Sequence, residues 1–252
     1  MMQLDSYNVL DKWPLDNLDR FLEMCRARNV HEVYCTGTNT DPLLFMHLPK
    51  LATRVQEEGM VFGIRTNGVA ALSHPDRWMC ADKASLTICS LNPEIYRKMM
   101  GQGEPPNLFK MFFLLGPHFD RDTLKVNIVL GPENTGGDWN SDVVQTILML
   151  ASWGCRRINL REPYGQPHVG DPLRNLISPV DTRHGMPMYR LEGVEVVYWD
   201  VHWVEVESVN LYASGRISET YPITRGCAKD GIVMDQSKFT VAGRVHEQWV
   251  SY

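Results

Sequence analysis

No two cysteines in this sequence sit at C-x-x-C spacing; Cys25, Cys35, Cys80, Cys89, Cys155 and Cys227 are scattered along 252 residues. That excludes a zinc ribbon or zinc finger, whose metal needs paired thiolates. Most of the six lie in apolar stretches, such as Val33-Tyr34-Cys35 and Leu86-Thr87-Ile88-Cys89, and read as small buried hydrophobes. Basic charge is not in excess: 25 Lys and Arg face 30 Asp and Glu, a net charge of -5. A surface of that balance argues against non-specific binding to nucleic acid or to an anionic membrane. No apolar run approaches the length of a membrane span. The first residues, Met1-Met2-Gln3-Leu4-Asp5, lack the basic flank and apolar stretch of a secretory signal, so the cytoplasm is the expected compartment. There is no repeat of fixed period and no low-complexity tract.

What is present is an alternation of helical and strand patterns up to about residue 165. Leu15, Leu18, Phe21, Leu22 and Cys25 form a helical stripe within 14–28, with Pro14 suited to its first turn. Strands are expected at 31–36, 61–65, 84–89, 124–130 and 157–161. Helices are expected at 43–58, 76–80, from Asn92-Pro93-Glu94 onward, 108–115 and 141–153. Such an alternation implies βα units and a parallel sheet, whose ligands sit beyond the carboxyl ends of the strands. From about 166 the chain turns Pro-, Gly- and His-rich and then strand-like. Residues 194–199 and 204–211 alternate apolar with polar, Ser214-Gly215 signals a turn, and 216–221 resumes as a strand, so an antiparallel meander is expected. The expected organisation is therefore a partial (βα) barrel over 1–165 and a β-rich extension over 166–252.

The strand ends collect polar side chains: Thr36 to Pro42 after the first strand, Arg65-Thr66-Asn67-Gly68 after the second, Ser85, Thr87 and Ser90 on the third, Asn127 on the fourth, Asn159 and Arg161 on the fifth. Hydroxyls, amides, a carboxylate and a guanidinium suit a zwitterionic amino acid, whose ammonium needs acceptors and whose carboxylate needs donors.

In this order the segments resemble the radical S-adenosylmethionine (radical SAM) superfamily, in its molybdopterin-precursor-cyclase-like branch. Val33 to Leu44 resembles the strand and loop bearing "GGEP" in that family. Thr66-Asn67-Gly68 is similar to its "TNG". Ala84 to Ser90 with Asn92-Pro93-Glu94-Ile95-Tyr96 resembles its third strand and following helix, and Val126-Asn127-Ile128-Val129 the next strand. The likeness spans about 14–165. It implies that Gly37, Thr38, Asp41 and Pro42, with Thr36, lie near the methionine ammonium of SAM. Asp41 stands where the family has Glu, in a longer loop. Ser85, Thr87, Asn127 and Arg161 would face the SAM carboxylate and ribose, and Thr66 and Asn67 the floor of the site.

The departure is the C-x-x-x-C-x-x-C loop, whose thiolates hold a [4Fe–4S] cluster in the family. This sequence has no such triplet and begins about where the family's first helix begins, so the first strand and cluster loop are expected to be absent from it. The resemblance then implies S-adenosylmethionine binding, with reductive cleavage to a 5′-deoxyadenosyl radical and a reductase partner if a cluster is supplied by residues absent here. The alternative is a cluster-free pseudoenzyme or binding module using the same pocket for SAM, a nucleoside or a partner.

Plainer readings run beside these. Thr66-Asn67-Gly68 is also an ordinary strand-ending turn, Asp41 also a helix cap before Pro42, and Asn127 also the partner of a neighbouring carbonyl. Arg161 and Glu162 read as a surface ion pair. His168, His184, His202 and His246 match no metal-ligand spacing. Tyr198, Trp199 and Trp203 read as strand core. As a phosphate loop, Thr36 to Asp41 is poor, with one Gly and no Lys.

Overall fold

The computed structural model describes residues 9–37, 40–101, 103–119, 123–163, 168–183, 185–199 and 207–220. They fall into two compact units.

In the first unit, helix α1 (Leu18–Ala27) buries Leu18, Phe21, Leu22 and Cys25, the stripe its spacing predicts. It starts later than Pro14 because Asn17 takes a left-handed conformation, φ 62°, with its side-chain amide donating to the Gly215 carbonyl at 2.8 Å. Strand β1 (Glu32–Thr36) runs parallel to β2 (Val61–Thr66). The helix expected over 43–58 is broken into a 3-10 turn, Pro42–Leu44, and α2 (Leu48–Glu57). Pro49 is the reason: it has no N–H to donate and its ring would strike the carbonyl of residue 45, so it is tolerated only in a first turn. Helix α3 (Pro75–Met79) buries Trp78. The hairpin of β9 (Glu207–Leu211) and β10 (Ile217–Thr220) forms around the Ser214-Gly215 turn signal, and β9 contacts α1.

The second unit holds most of β3 (Lys83–Ile88), then β4 (Leu124–Val129), β5 (Arg157–Arg161) and β8 (Val194–Trp199), each parallel to the next. Strands β7 (Met186–Leu191) and β6 (Asp181–Arg183) continue antiparallel. Helices α4 (Pro93–Met100), α5 (Leu108–Leu114) and α6 (Asp142–Ser152) belong to the same unit. Strand β8 is thus not part of a separate meander; it pairs with β5 on one side and β7 on the other. Strand β7 escapes a sequence reading because Pro187 lowers its strand character. The signal that finds it is the two-residue turn Glu192-Gly193, with φ of 49° and 77°, the left-handed pair that closes a tight hairpin.

Hydrogen bonding pairs β1 with β2 in the first unit and orders the strands of the second β3-β4-β5-β8-β7-β6, and neither set closes into a barrel among the described residues. Within the second unit the faces differ. Ala84, Leu86, Ile88, Val126, Ile128, Ile158, Leu160, Val194 and Val196 are buried apolar residues. The alternate positions, which project from the opposite face, carry Ser85, Thr87, Lys125, Asn127, Arg157, Asn159, Arg161 and Glu195. Among the described residues no helix is long and apolar enough to cross a membrane.

Helix α4 is started by Asn92, whose side chain accepts the Glu94 N–H at 2.9 Å. Asn92→Ala is expected to cost about 1 kcal/mol, read as a lower urea midpoint at unchanged slope.

Candidate functional site

The second unit joins three of its strands through polar side chains. The Asn127 amide donates to the Ser85 hydroxyl at 2.6 Å and to the Leu86 carbonyl at 3.3 Å. Its oxygen accepts from the Asn159 amide at 3.3 Å. Ser85 is 1% and Asn127 3% exposed, whereas Thr87, Asn159 and Arg161 are half-buried. The register sets Thr87 beside Asn127, and Asn127 beside Asn159, while Arg161 lies two positions further along β5, beside Trp199. The buried pair therefore braces the row, and the half-buried residues are the ones a ligand would touch. Thr66 and Asn67 build their own turn: Thr66 Oγ1 accepts the Gly68 N–H at 2.9 Å and Asn67 Oδ1 the Val69 N–H at 3.0 Å.

Two residues not singled out in the sequence are structural keys here. Asn134, 1% exposed, donates to the carbonyls of Cys89 and Val129 at 2.7 and 2.8 Å and accepts the Gly131 N–H at 2.9 Å. One side chain thus ties the carboxyl ends of β3 and β4 to the following loop. Asp142, at the start of α6, accepts from Ser90 at 2.9 Å. Burial raises its carboxyl above the ordinary range, and the Ser90 bond only partly opposes that.

Glu162 corrects the expectation of a surface ion pair with Arg161. It is 3% exposed. Oε2 accepts from His168 Nδ1 at 2.6 Å, and Oε1 accepts from Val169 N at 3.1 Å, Gly170 N at 2.8 Å and the Tyr198 hydroxyl at 2.9 Å. Burial by itself would raise this carboxyl. The Gly170, His168 and Tyr198 bonds outweigh burial and bring it below its usual value. Nearby, Asp171 accepts from the Tyr189 hydroxyl. Burial lifts the Asp171 carboxyl and, with Asp171 beside it, the Tyr189 phenol.

In the first unit Thr36 is the exposed last residue of β1. Gly37 has the Thr40 carbonyl oxygen 1.5 Å from where a Cβ would stand, so its missing side chain serves the loop's own backbone. Asp41 Oδ1 accepts the Leu43 N–H at 2.9 Å, and Pro42 opens the 3-10 turn. The cap reading of Asp41 is therefore correct. Thr38, Cys227, Trp203, His184, His202 and His246 lie outside the described residues.

No family model matches the chain, and no curated protein matches it. Among solved structures it is similar to Streptococcus suis SuiB, at 14% identity and a TM-score of 0.47 over 61% of this chain and 34% of that one. SuiB bound to its precursor peptide SuiA gives 15% and 0.47, over 58% and 32%. SuiB bound to S-adenosylmethionine gives 14% and 0.45, over 64% and 37%. The chain spans about a third of the length of these structures. Likeness at this level does not place the chain in a family.

The described cysteines do not fit an iron–sulfur cluster. Burial pushes the thiols of Cys35 and Cys80 up to about 12, and those of Cys25, Cys89 and Cys155 to about 11. Cluster ligands are thiolates, favoured by the opposite environment. Among the described residues no three His, Cys, Asp or Glu gather as metal ligands.

Proposed function

We propose that the polar face of the second unit binds S-adenosylmethionine, as the radical SAM resemblance implies. The observation that carries this reading is the hydrogen-bonded row Ser85–Asn127–Asn159 across three consecutive parallel strands. Thr87, Asn159 and Arg161 would contact the ligand's carboxylate and ribose, offering hydroxyl, amide and guanidinium donors. Ser85 and Asn127 would hold Asn159 in place, and Thr66 and Asn67 would keep the shape of the turn beside them. SAM bound in the family's manner supplies a sulfonium that a reduced cluster can cleave. That step would need thiolates other than the five described here, so it is assigned to none of these residues.

Titration calorimetry with SAM tests the reading. Saturable binding is expected, weakened severalfold in Asn159→Ala, which removes about one hydrogen bond. No heat and no thermal shift at millimolar SAM would overturn it. The second reading, a cluster-free binding module, is favoured by the desolvated thiols of Cys35 and Cys80, both pushed up to about 12. It expects binding of SAM or a nucleoside with no cleavage under reduction.

A further inference from the structure

Helix α5 in the second unit is apolar on every side. Its sequence, Leu-Phe-Lys-Met-Phe-Phe-Leu, holds a single charge, Lys110. Leu108 and Met111 turn inward and are buried. The outward arc carries Phe109, Lys110, Phe113 and Leu114, of which Phe109 is 59%, Phe113 74% and Leu114 54% exposed. A helix bordering solvent carries polar residues on that arc, whereas one that is apolar all round is covered.

The patch continues onto α6. Phe109 meets Trp153 edge-on, with ring centroids 5.8 Å apart. Phe113 stands one turn beyond Phe109. Met149 stands one turn before Trp153, the C-cap of α6. That spacing makes each pair neighbours on a helix surface. Met149 is itself 46% exposed. Two helices of one unit thus present a continuous surface of aromatic rings and a thioether. Such patches mark contacts with another macromolecule, and Phe, Trp and Met are enriched in the cores of those contacts.

Charge selects the occupant. Lys110 lies within the arc, and Arg156 follows Trp153 by three residues. Neither has an acidic partner among the described residues; Arg156 donates to the Cys155 carbonyl at 3.5 Å. Helix α5 has no carboxylate, and that of Asp142 lies at the far end of α6, bonded to Ser90. A second copy set on this face about a two-fold axis would bring cations against the same cations. An anionic bilayer calls for a basic cluster, which two cations on a chain of net charge -5 do not supply. An amphipathic helix with an acidic border answers both the apolar strip and the cations.

We propose that the α5–α6 face docks an amphipathic helix of a partner protein. Phe109, Phe113 and Met149 pack against its apolar side, and Lys110 and Arg156 meet carboxylates along its border.

Fluorescence anisotropy with two labelled synthetic helices tests this on the full chain. Both helices carry one Leu stripe, bordered by Glu in the first and by Lys in the second. Saturable binding of the Glu-bordered helix is expected, with the Lys-bordered one about tenfold weaker. Phe113→Ser, at a position open to solvent, is expected to weaken the Glu-bordered helix about tenfold while leaving the urea midpoint unchanged. Lys110→Glu is expected to erase or reverse the preference between the two helices. No saturable binding of either at hundreds of micromolar overturns the proposal, as does binding that neither substitution moves. Two other results overturn it by assigning the face elsewhere. One is a reversible dimer in sedimentation equilibrium that Phe113→Ser abolishes. The other is co-flotation with phosphatidylserine vesicles that the same substitution abolishes. SAM is absent from these measurements, so they stand whichever way the SAM titration falls.

Discussion

Glu162→Ala is expected to destabilise the protein by about 3 kcal/mol, roughly 1 for each of the Val169 N–H, Gly170 N–H and Tyr198 O–H groups left without its acceptor. Against a total stability of about 5 to 15 kcal/mol, that is a large fraction. His168 adds little to this cost because its side chain is 57% exposed and can turn to water. Glu162→Gln keeps the shape and one acceptor oxygen and should lose less. It separates packing from charge. The folded-state pKa of Glu162 lies below its ordinary value of 4.5. A carboxyl shifted downward in the folded state contributes stability that is fully present above the unfolded pKa and is lost as pH falls through the folded one. Urea unfolding from pH 7 downward should therefore show wild-type stability falling more steeply below about pH 5 than that of Glu162→Gln. Parallel curves for the two proteins would contradict the assignment of Glu162 as an ionised, buried acceptor.

The parallel βα order was legible because strands and helices differ in hydrophobic period, and five strands and the main helices fall close to where their patterns place them. What the sequence hid has specific causes. Pro49 splits one helix, a break that reading through the Leu43 to Glu58 pattern overlooks. Pro187 disguises β7, and with it the place of β8 inside the main sheet instead of a separate meander. For the proposed site, strand-end position singled out Ser85, Thr87, Asn127 and Arg161 as candidates, without their depth. Burial of Ser85 and Asn127 depends on which face each strand turns to its neighbours, and a single strand's pattern does not contain that. Glu162 looked like one half of an adjacent ion pair because its partners, His168, Val169, Gly170 and Tyr198, arrive from six to 36 residues away. Asn134 sits in a Gly- and Pro-rich loop where an amide is ordinary turn chemistry, and only the fold brings the Cys89 carbonyl to it.

The depth of Asn127 leads to the other large effect. Asn127→Leu preserves volume and removes the polar node. The Ser85 hydroxyl, the Leu86 carbonyl and the Asn159 amide each lose a partner, the first two in a buried setting. The expected cost is about 2 to 3 kcal/mol, read from the urea midpoint. Ser85→Ala, which gives up only the 2.6 Å bond, should cost about 1 kcal/mol. If the row works as a brace, Asn127→Leu must also weaken SAM by about tenfold although the residue is 3% exposed and does not reach the ligand, because Asn159 is no longer fixed. Calorimetry in conditions where the variant is still folded separates the two effects. A destabilised Asn127→Leu that binds SAM with wild-type affinity would make the row a feature of sheet stability alone and move the ligand contacts away from Asn159.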